Sequence, residues 1–194
     1  MRKLILFMHT SLDGFAAGPN GEMDWIIINE EMFDYAEQRI RESDTALYGR
    51  VTYQMMEGYW PTAADQPNAT KHDREHSRWY KQVAKVVVSR TLKGARLPNT
   101  RILSDDLARQ VRAIKQEPGN DILIFGSPSA SHSLMAEGLI DDYWLFVNPI
   151  LLGQGIPVFK GVREKASLAL SEHKVFPSGV VCLHYERKGE VAAG

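Results

Sequence analysis

Short, mainly apolar runs alternate with segments of helical periodicity along most of the chain. The apolar runs predict strands that are covered on both faces, and they span residues 4–8, 46–48, 85–89, 121–125 and 143–147. Between them, apolar positions recur at helical spacing, which predicts helices over residues 30–42, 51–56, 71–82, 105–116 and 130–137. Such alternation is typical of a mainly parallel sheet flanked by helices.

The pattern changes after Pro149. Residues 168–176 and 180–187 are predicted strands, and the Pro177-Ser178-Gly179 segment between them is a hairpin signal. We therefore predict an α/β fold with a mixed, mainly parallel sheet, flanking helices and a C-terminal antiparallel hairpin.

Two segments have the composition of loops. Residues 11–21 are rich in turn-forming dipeptides, and residues 58–70 contain two prolines. Ser104 is the predicted N-cap of the fourth helix, with Asp105 and Asp106 in its first turn.

Composition narrows the class of protein. The 194 residues carry a formal net charge of -1, without the positive excess of a dedicated nucleic-acid binder. We expect a single domain over residues 1–188 and a flexible tail at 189–194.

Cys182 is the single cysteine, which excludes an intrachain disulfide and predicts a small buried apolar residue. With no recognisable signal peptide or membrane span, we expect a soluble cytoplasmic protein.

One strand end carries residues suited to binding an anion. Gly49 precedes a predicted helix, so a phosphate can approach the backbone and meet the first N–H groups of that helix. Arg50 offers a guanidinium and Thr52 a hydroxyl. The alternative is that Gly49 only turns the chain, Arg50 is solvated and Thr52 caps the helix.

Two further strand ends have similar chemistry. Gly126 and Ser127 can present N–H groups to a pyrophosphate, and Ser89 and Arg90 add a hydroxyl and a guanidinium. Each segment alone is also compatible with an ordinary turn or capped helix. Together they suit a phosphorylated dinucleotide, NADP in preference to NAD. The Gly-x-Gly of residues 153–155 is followed by proline and no helix, which excludes the usual dinucleotide fingerprint.

Other candidate groups have weaker support. His72 and His76 match the His-x-x-Glu-His spacing of a zinc site, but polar flanking residues favour a solvated helix, and we expect no metal. His9 lies at the end of the first strand, where a structural role is favoured over proton transfer. Glu30 and Glu31 open the first helix and are candidate proton donors, although acids also occur there because of the helix dipole.

Four segments resemble the signatures of the dihydrofolate-reductase-like superfamily, in the branch related to the C-terminal reductase domain of bifunctional riboflavin biosynthesis proteins. They are Ser11-Leu12-Asp13-Gly14-Phe15, Gly49-Arg50-Val51-Thr52-Tyr53, Val87-Val88-Ser89-Arg90-Thr91 and the segment 149–157. They occur in the expected order, and the resemblance covers nearly the whole chain. It implies a dihydrofolate-reductase-like fold that binds NADPH across the strand ends, commonly as a homodimer.

The resemblance also implies roles for individual residues. Asp13 and Trp25 would contact substrate, and Glu30 or Glu31 lies near the position of the acid found in dihydrofolate reductases. The implied cofactor-binding residues are Gly14, Gly49, Arg50, Thr52, Ser89, Arg90, Gly126 and Ser127.

Two positions depart from the riboflavin-pathway reductases. Phe7 stands where those enzymes carry a lysine, and Phe125 precedes Gly126-Ser127 where they have an acid before a double glycine. Without both polar groups, a ribose-phosphate substrate would lack its partners.

The main hypothesis is an NADPH-dependent reductase that transfers hydride to a small heterocyclic substrate, pterin-like or pyrimidine-like, or to a carbonyl compound. The proton would come from Glu30, Glu31 or water. One alternative is a non-catalytic dimeric nucleotide-binding protein. The other is a riboflavin-pathway 5-amino-6-(5-phosphoribosylamino)uracil reductase. We expect a small-molecule substrate and no nucleic-acid or membrane partner.

Overall fold

The computed structural model describes residues 1–188, and the tail expected at 189–194 lies outside these described residues. The strands are β1 (Leu4–Ser11), β2 (Phe15–Ala17), β3 (Ser43–Gly49), β4 (Ala84–Val88), β5 (Thr100–Leu103), β6 (Asp121–Phe125), β7 (Asp142–Asn148), β8 (Ile156–Pro157), β9 (Leu168–Val175) and β10 (Val181–Arg187). The helices are α1 (Glu30–Arg41), α2 (Arg50–Ala63), α3 (Lys71–Gln82), α4 (Leu107–Gln116) and α5 (Pro128–Ala136).

An eight-stranded sheet organises the molecule in the order β5-β4-β3-β6-β1-β7-β10-β9. The pairs from β5 through to β7 are parallel, whereas β10 pairs antiparallel with both β7 and β9. The predicted mixed, mainly parallel sheet with a C-terminal antiparallel hairpin is therefore confirmed.

Both faces of the sheet are covered, which explains the continuous apolar strands. Along β1, Leu4, Leu6 and Met8 pack with apolar residues of α4 and α5. Ile5 and Phe7 point the other way, into a second cluster with residues of α1, α2 and α3. The alternation follows from the two-residue period of a strand.

Two segments expected to be loops contain regular structure. Phe15–Ala17 forms β2 because it pairs antiparallel with β8, a contact between segments distant in sequence. Helix α2 continues through Gly58 and Pro61 to Ala63. Pro61 lies in the last turn, where its missing N–H costs one hydrogen bond at a helix end, and packing against α3 holds this turn in place.

The start of α4 also differs from the prediction. Ser104 donates its hydroxyl to Asp105 Oδ2 at 3.0 Å, and Asp106 is the N-cap, accepting from the Arg109 N–H. Residues 104–106 instead connect the unpredicted edge strand β5 to the helix. A four-residue edge strand gives too short a pattern to be recognised in the sequence.

None of the helices among residues 1–188 combines the length and apolar composition needed to span a bilayer.

Candidate functional site

A large cleft, of about 1020 Å³, lies at the carboxyl ends of β3, β4, β5 and β6. We call it the strand-end cleft. The start of α2, the start of α5 and the segment leading into α4 form its walls. The structure brings six predicted cofactor-binding residues together here: Gly49, Arg50, Thr52, Ser89, Arg90 and Ser127.

The N-terminus of α2 opens into the strand-end cleft. Gly49 is its N-cap, in extended conformation, and no side chain within residues 1–188 caps the helix. The first N–H groups of a helix have no partner within it and carry part of the positive end of the helix dipole. Arg50, the first helical residue, is exposed at the same place and donates to Gln54 Oε1 at 2.9 Å. This arrangement is suited to an anion.

The N-terminus of α5 lies beside that of α2. Its N-cap, Ser127, is buried in left-handed conformation with φ of 55° and likewise makes no side-chain cap. The Ser127 hydroxyl instead accepts the Gly49 N–H at 2.9 Å and donates to the Phe125 carbonyl at 2.9 Å. The hydrogen bonds of this one side chain therefore connect the N-terminus of α2 to that of α5.

Gly126 has a different role from its neighbour. Its N–H donates to the Phe7 carbonyl at 3.0 Å, within the sheet. This geometry does not support the expected donation of that N–H to a phosphate. The φ of +52° at Gly126 is what the turn from β6 into α5 requires.

The turn after β4 presents a second arginine. Ser89 is buried, and its hydroxyl accepts the Leu92 N–H at 3.1 Å and lies 3.2 Å from Thr91 Oγ1. Ser89 thus shapes the turn, and Arg90 is exposed on the wall of the strand-end cleft.

Sequence reasoning missed the acidic part of this wall. Asp105 and Asp106, together with Glu137 at the end of α5, also line the strand-end cleft. Asp105 and Asp106 were not placed at a strand end because the sequence pattern of β5, which precedes them, was too short to be recognised.

Asp13 and Gly14 do not line the strand-end cleft. The Asp13 carboxylate accepts from the Ser11 hydroxyl at 2.6 Å and from the N–H groups of Leu152 and Gly153, the latter at 2.7 Å. The hydrogen bond from Ser11, with those from the two N–H groups, holds the pKa of Asp13 below its usual value. Gly14, with φ of +88°, accepts the Val158 N–H. Through these hydrogen bonds, both residues hold the segment that follows β7 against the loop after β1.

The predicted substrate-side residues lie outside the strand-end cleft. Trp25 is half-buried and donates its indole N–H to the Glu22 carbonyl at 3.0 Å. Glu30 is exposed at the start of α1, and Glu31 pairs with Lys174 at 3.1 Å. Their roles in substrate binding and proton transfer stay predictions.

The carboxyl end of β1 is aromatic on the face that carries α1. Phe7 packs against Phe125 and Phe146, with ring centroids 5.8 and 5.1 Å away. His9 follows on the same face and stacks on Phe146 at 5.0 Å. Burial lowers the pKa of His9 to about 4, so its ring is neutral at pH 7.

The His-x-x-Glu-His helix is not a solvated helix on its histidine face. His72 stacks on Phe33 of α1, and His76 is buried 4.1 Å from the Trp60 ring of α2. The buried face of α3 also includes Ser77 and Tyr80, and it was not recognised because the residues between its members are polar.

Among residues 1–188, neither of these histidines belongs to a group of side chains with metal-ligand spacing. In the described part of the chain, the group whose spacing suits a metal is Asp142, His184 and Glu186. Lys3 already lies 3.0 Å from Asp142 and 3.7 Å from Glu186, so a cation is present there.

Comparison with known proteins identifies relatives over nearly the whole chain. The family model described as the RibD C-terminal domain matches residues 2–182. YyaP of Bacillus subtilis strain 168, described as uncharacterized, is 33% identical over 193 residues, which cover 97% of this chain and 96% of YyaP.

Solved structures share the fold at low sequence identity. A putative riboflavin biosynthesis protein from Shewanella sp. PV-4 has a TM-score of 0.73 at 21% identity, covering 96% of this chain and 99% of its own. Dihydrofolate reductase from Enterococcus faecalis, complexed with NADP(H) and RAB-propyl, has a TM-score of 0.61 at 12% identity, covering 96% and 97%. The fold is dihydrofolate-reductase-like, and the match over residues 2–182 shows that the chain belongs to the RibD C-terminal domain family.

Proposed function

We propose that this protein is an NADPH-dependent reductase that transfers hydride to a polarised C=N or C=O bond of a small heterocyclic or carbonyl substrate. The family and the fold support an oxidoreductase. The observation that carries the cofactor proposal is the pair of uncapped helix N-termini fastened together by Ser127 in the strand-end cleft. Two adjacent helix N-termini suit a pyrophosphate, which carries charge on both phosphates.

The residues present fit a phosphorylated dinucleotide. Arg50 lies at the start of α2, where it adds a full positive charge to the backbone N–H groups. Arg90 lies on the next wall of the strand-end cleft, beyond the end of β4, and would hold a 2′-phosphate. The NADP(H) bound by the Enterococcus faecalis reductase of the same fold supports this assignment.

The chain's own residues would bind the cofactor and the substrate, orient them and exclude water from the site. The nicotinamide supplies the hydride when the cofactor is bound. Phe7 and Phe125 are buried in the apolar cluster beneath α1, α2 and α3, so neither position offers a polar group to a ribose phosphate. This argues against the uracil reductase alternative. Glu30, Glu31 or water would supply the proton.

A non-catalytic nucleotide-binding protein is the second candidate. It is favoured by one observation: the exposed Glu30 and the paired Glu31 lie outside the strand-end cleft. NADPH oxidation measured against a panel of pterins and aldehydes separates the two candidates. Oxidation with any member supports the reductase, and NADPH binding without oxidation across the panel supports the second candidate.

The cofactor assignment is tested by Arg50→Ala and Arg90→Ala. We expect each change to weaken NADPH binding about tenfold, because each removes a charge-assisted contact to phosphate. Arg90→Ala should leave NADH binding nearly unchanged. Arg101→Ala is the control, because Arg101 is exposed on β5, pairs with Glu117 and does not line the strand-end cleft. Equal losses for NADPH and NADH in Arg90→Ala would contradict the 2′-phosphate assignment.

The homodimer implied by the resemblance and the cytoplasmic location expected from the sequence are also part of this proposal. Light scattering on the purified protein tests the first, with a mass near twice 21.9 kDa expected.

A further inference from the structure

The wall that carries Arg90 also carries a carboxylate. Asp105 follows β5, lines the strand-end cleft and is exposed. Its Oδ2 accepts from Lys93 Nζ at 2.7 Å and from the Ser104 hydroxyl at 3.0 Å. Lys93 and Arg90 lie on the same turn after β4, so one acid faces the positive charges of that turn.

The neighbours of Asp105 favour its ionised form. The hydrogen bond from Lys93 is the main reason that the pKa of this carboxyl lies below its usual value, with further contributions from Ser104 and Arg90. Asp105 is therefore ionised at neutral pH, forms an ion pair with Lys93 and lies on the same cleft wall as Arg90.

We propose that Asp105 is a specificity-determining residue that limits the preference of the strand-end cleft for NADPH over NADH by repelling the 2′-phosphate beside Arg90. The inference rests on the proposed function, because it assigns the β4–β5 wall to the adenosine end of the cofactor.

The physical reason is a difference between the two cofactors at one position. A phosphate carries close to two negative charges at neutral pH, so a 2′-phosphate held by Arg90 would be repelled by the Asp105 carboxylate on the same wall, which Lys93 neutralises only in part. A ribose 2′-hydroxyl is neutral and can donate a hydrogen bond to the same carboxylate. Asp105 thus disfavours one cofactor without harming the other.

The test is Asp105→Asn, with the affinities for NADPH and NADH measured by calorimetry on the full chain. We expect NADPH to bind about threefold to tenfold more tightly and NADH to change less than about twofold, since the change removes one screened like charge. The gain should shrink as ionic strength rises. Thermal unfolding checks that the variant is folded.

Glu117→Gln is the matched control. Glu117 pairs with Arg101 at 2.7 Å, the same separation as Asp105 and Lys93, but it lies outside the strand-end cleft. The control removes the same net charge and should leave the ratio of the two affinities unchanged. A second variant, Lys93→Met, should weaken NADPH binding and leave NADH binding nearly unchanged.

The outcomes separate the two proposals. If the unaltered protein binds neither cofactor, the proposed function fails and the inference fails with it. If both cofactors bind but Asp105→Asn leaves their affinity ratio unchanged, or if Glu117→Gln changes it equally, the inference alone is overturned.

Discussion

Asp13 belongs to a motif that implied a substrate contact, yet its hydrogen bonds join two parts of the backbone. The carboxylate accepts hydrogen bonds from the N–H groups of Leu152 and Gly153. In the same motif, the Gly14 carbonyl accepts the Val158 N–H. Ile156, in the segment fastened this way, lines the strand-end cleft. Asp13 is therefore positioned to fix one end of the site.

Asp13→Ala should release this segment. We expect faster amide hydrogen exchange at Leu152 and Gly153, because their acceptor is lost, together with slower NADPH oxidation. Asp24→Asn, a charge change in the same N-terminal segment, is the control. Unchanged exchange at both amides would show that Asp13 does not hold the segment.

His76 is buried, and its Nδ1 has no hydrogen-bond partner among the residues that the structure describes. Burial, with a smaller contribution from the charge of His72, lowers its pKa to about 3. An unfolded histidine binds a proton below about pH 6.5, whereas the folded one does not until far lower pH. The free energy of unfolding is therefore undiminished above pH 6.5 and falls as the pH drops below it.

His76→Phe should remove this acid sensitivity. Between pH 6.5 and pH 5, we expect the variant to lose about 2 kcal/mol less of its free energy of unfolding than the unaltered protein. Denaturant unfolding at the two pH values measures the difference, which is independent of any packing cost of the larger ring. His173→Gln, at an exposed position on β9, is the control. Parallel pH profiles for His76→Phe and the unaltered protein would contradict the account.

At the scale of elements, the two helix N-termini act together only because Ser127 connects them. Ser127→Ala leaves the Gly49 N–H without its acceptor, a loss of about 1–3 kcal/mol in the free energy of unfolding if that group stays dry. NADPH binding should weaken as well, because the N-termini lose their alignment.

Ser131→Ala is the comparison for this change. Ser131 lies in α5 and donates to the Gly126 carbonyl at 3.1 Å, a bond within the same turn. We expect a smaller loss of stability and little effect on cofactor affinity. If Ser131→Ala weakens NADPH binding as much as Ser127→Ala does, the connection between α2 and α5 is not the cause.

Elements fixed by local signals could be predicted from the sequence. Helix α3 spans the residues that its pattern predicts, and Thr70 and Asp73 form a capping box that fixes its start. Strand β6 likewise matches its apolar run, because that run is defined by neighbouring residues in the sequence.

Elements fixed by distant partners could not be predicted. Strands β2 and β8 exist because they pair with each other, and α2 passes Pro61 because α3 supports its last turn. The same limit applies to the site. The glycine and arginine positions of the strand-end cleft follow from strand ends, whereas Asp105 required knowledge of β5.

At the scale of the whole molecule, the two ends of the sheet differ. The carboxyl ends form the strand-end cleft, and the amino end of β7 carries a buried acid. Burial opposes the charge of Asp142, but hydrogen bonds from His184 and Lys3 outweigh it and lower the pKa of this carboxyl. The resulting stabilisation is present above the ordinary carboxyl pKa near 4 and is lost as the pH falls through the lower folded value.

Asp142→Asn should therefore destabilise the protein at pH 7, by about 1–3 kcal/mol, and by less at pH 3. Chemical denaturation at both pH values measures this. An equal loss at the two pH values would show that the ion pairs of Asp142 do not contribute.

The most direct measurement is a crystal structure of the protein with NADP⁺. The account predicts the pyrophosphate between the first turns of α2 and α5, within hydrogen-bond distance of their N–H groups, and the 2′-phosphate beside Arg90. A dinucleotide bound elsewhere, or a pyrophosphate that contacts neither helix N-terminus, would contradict it.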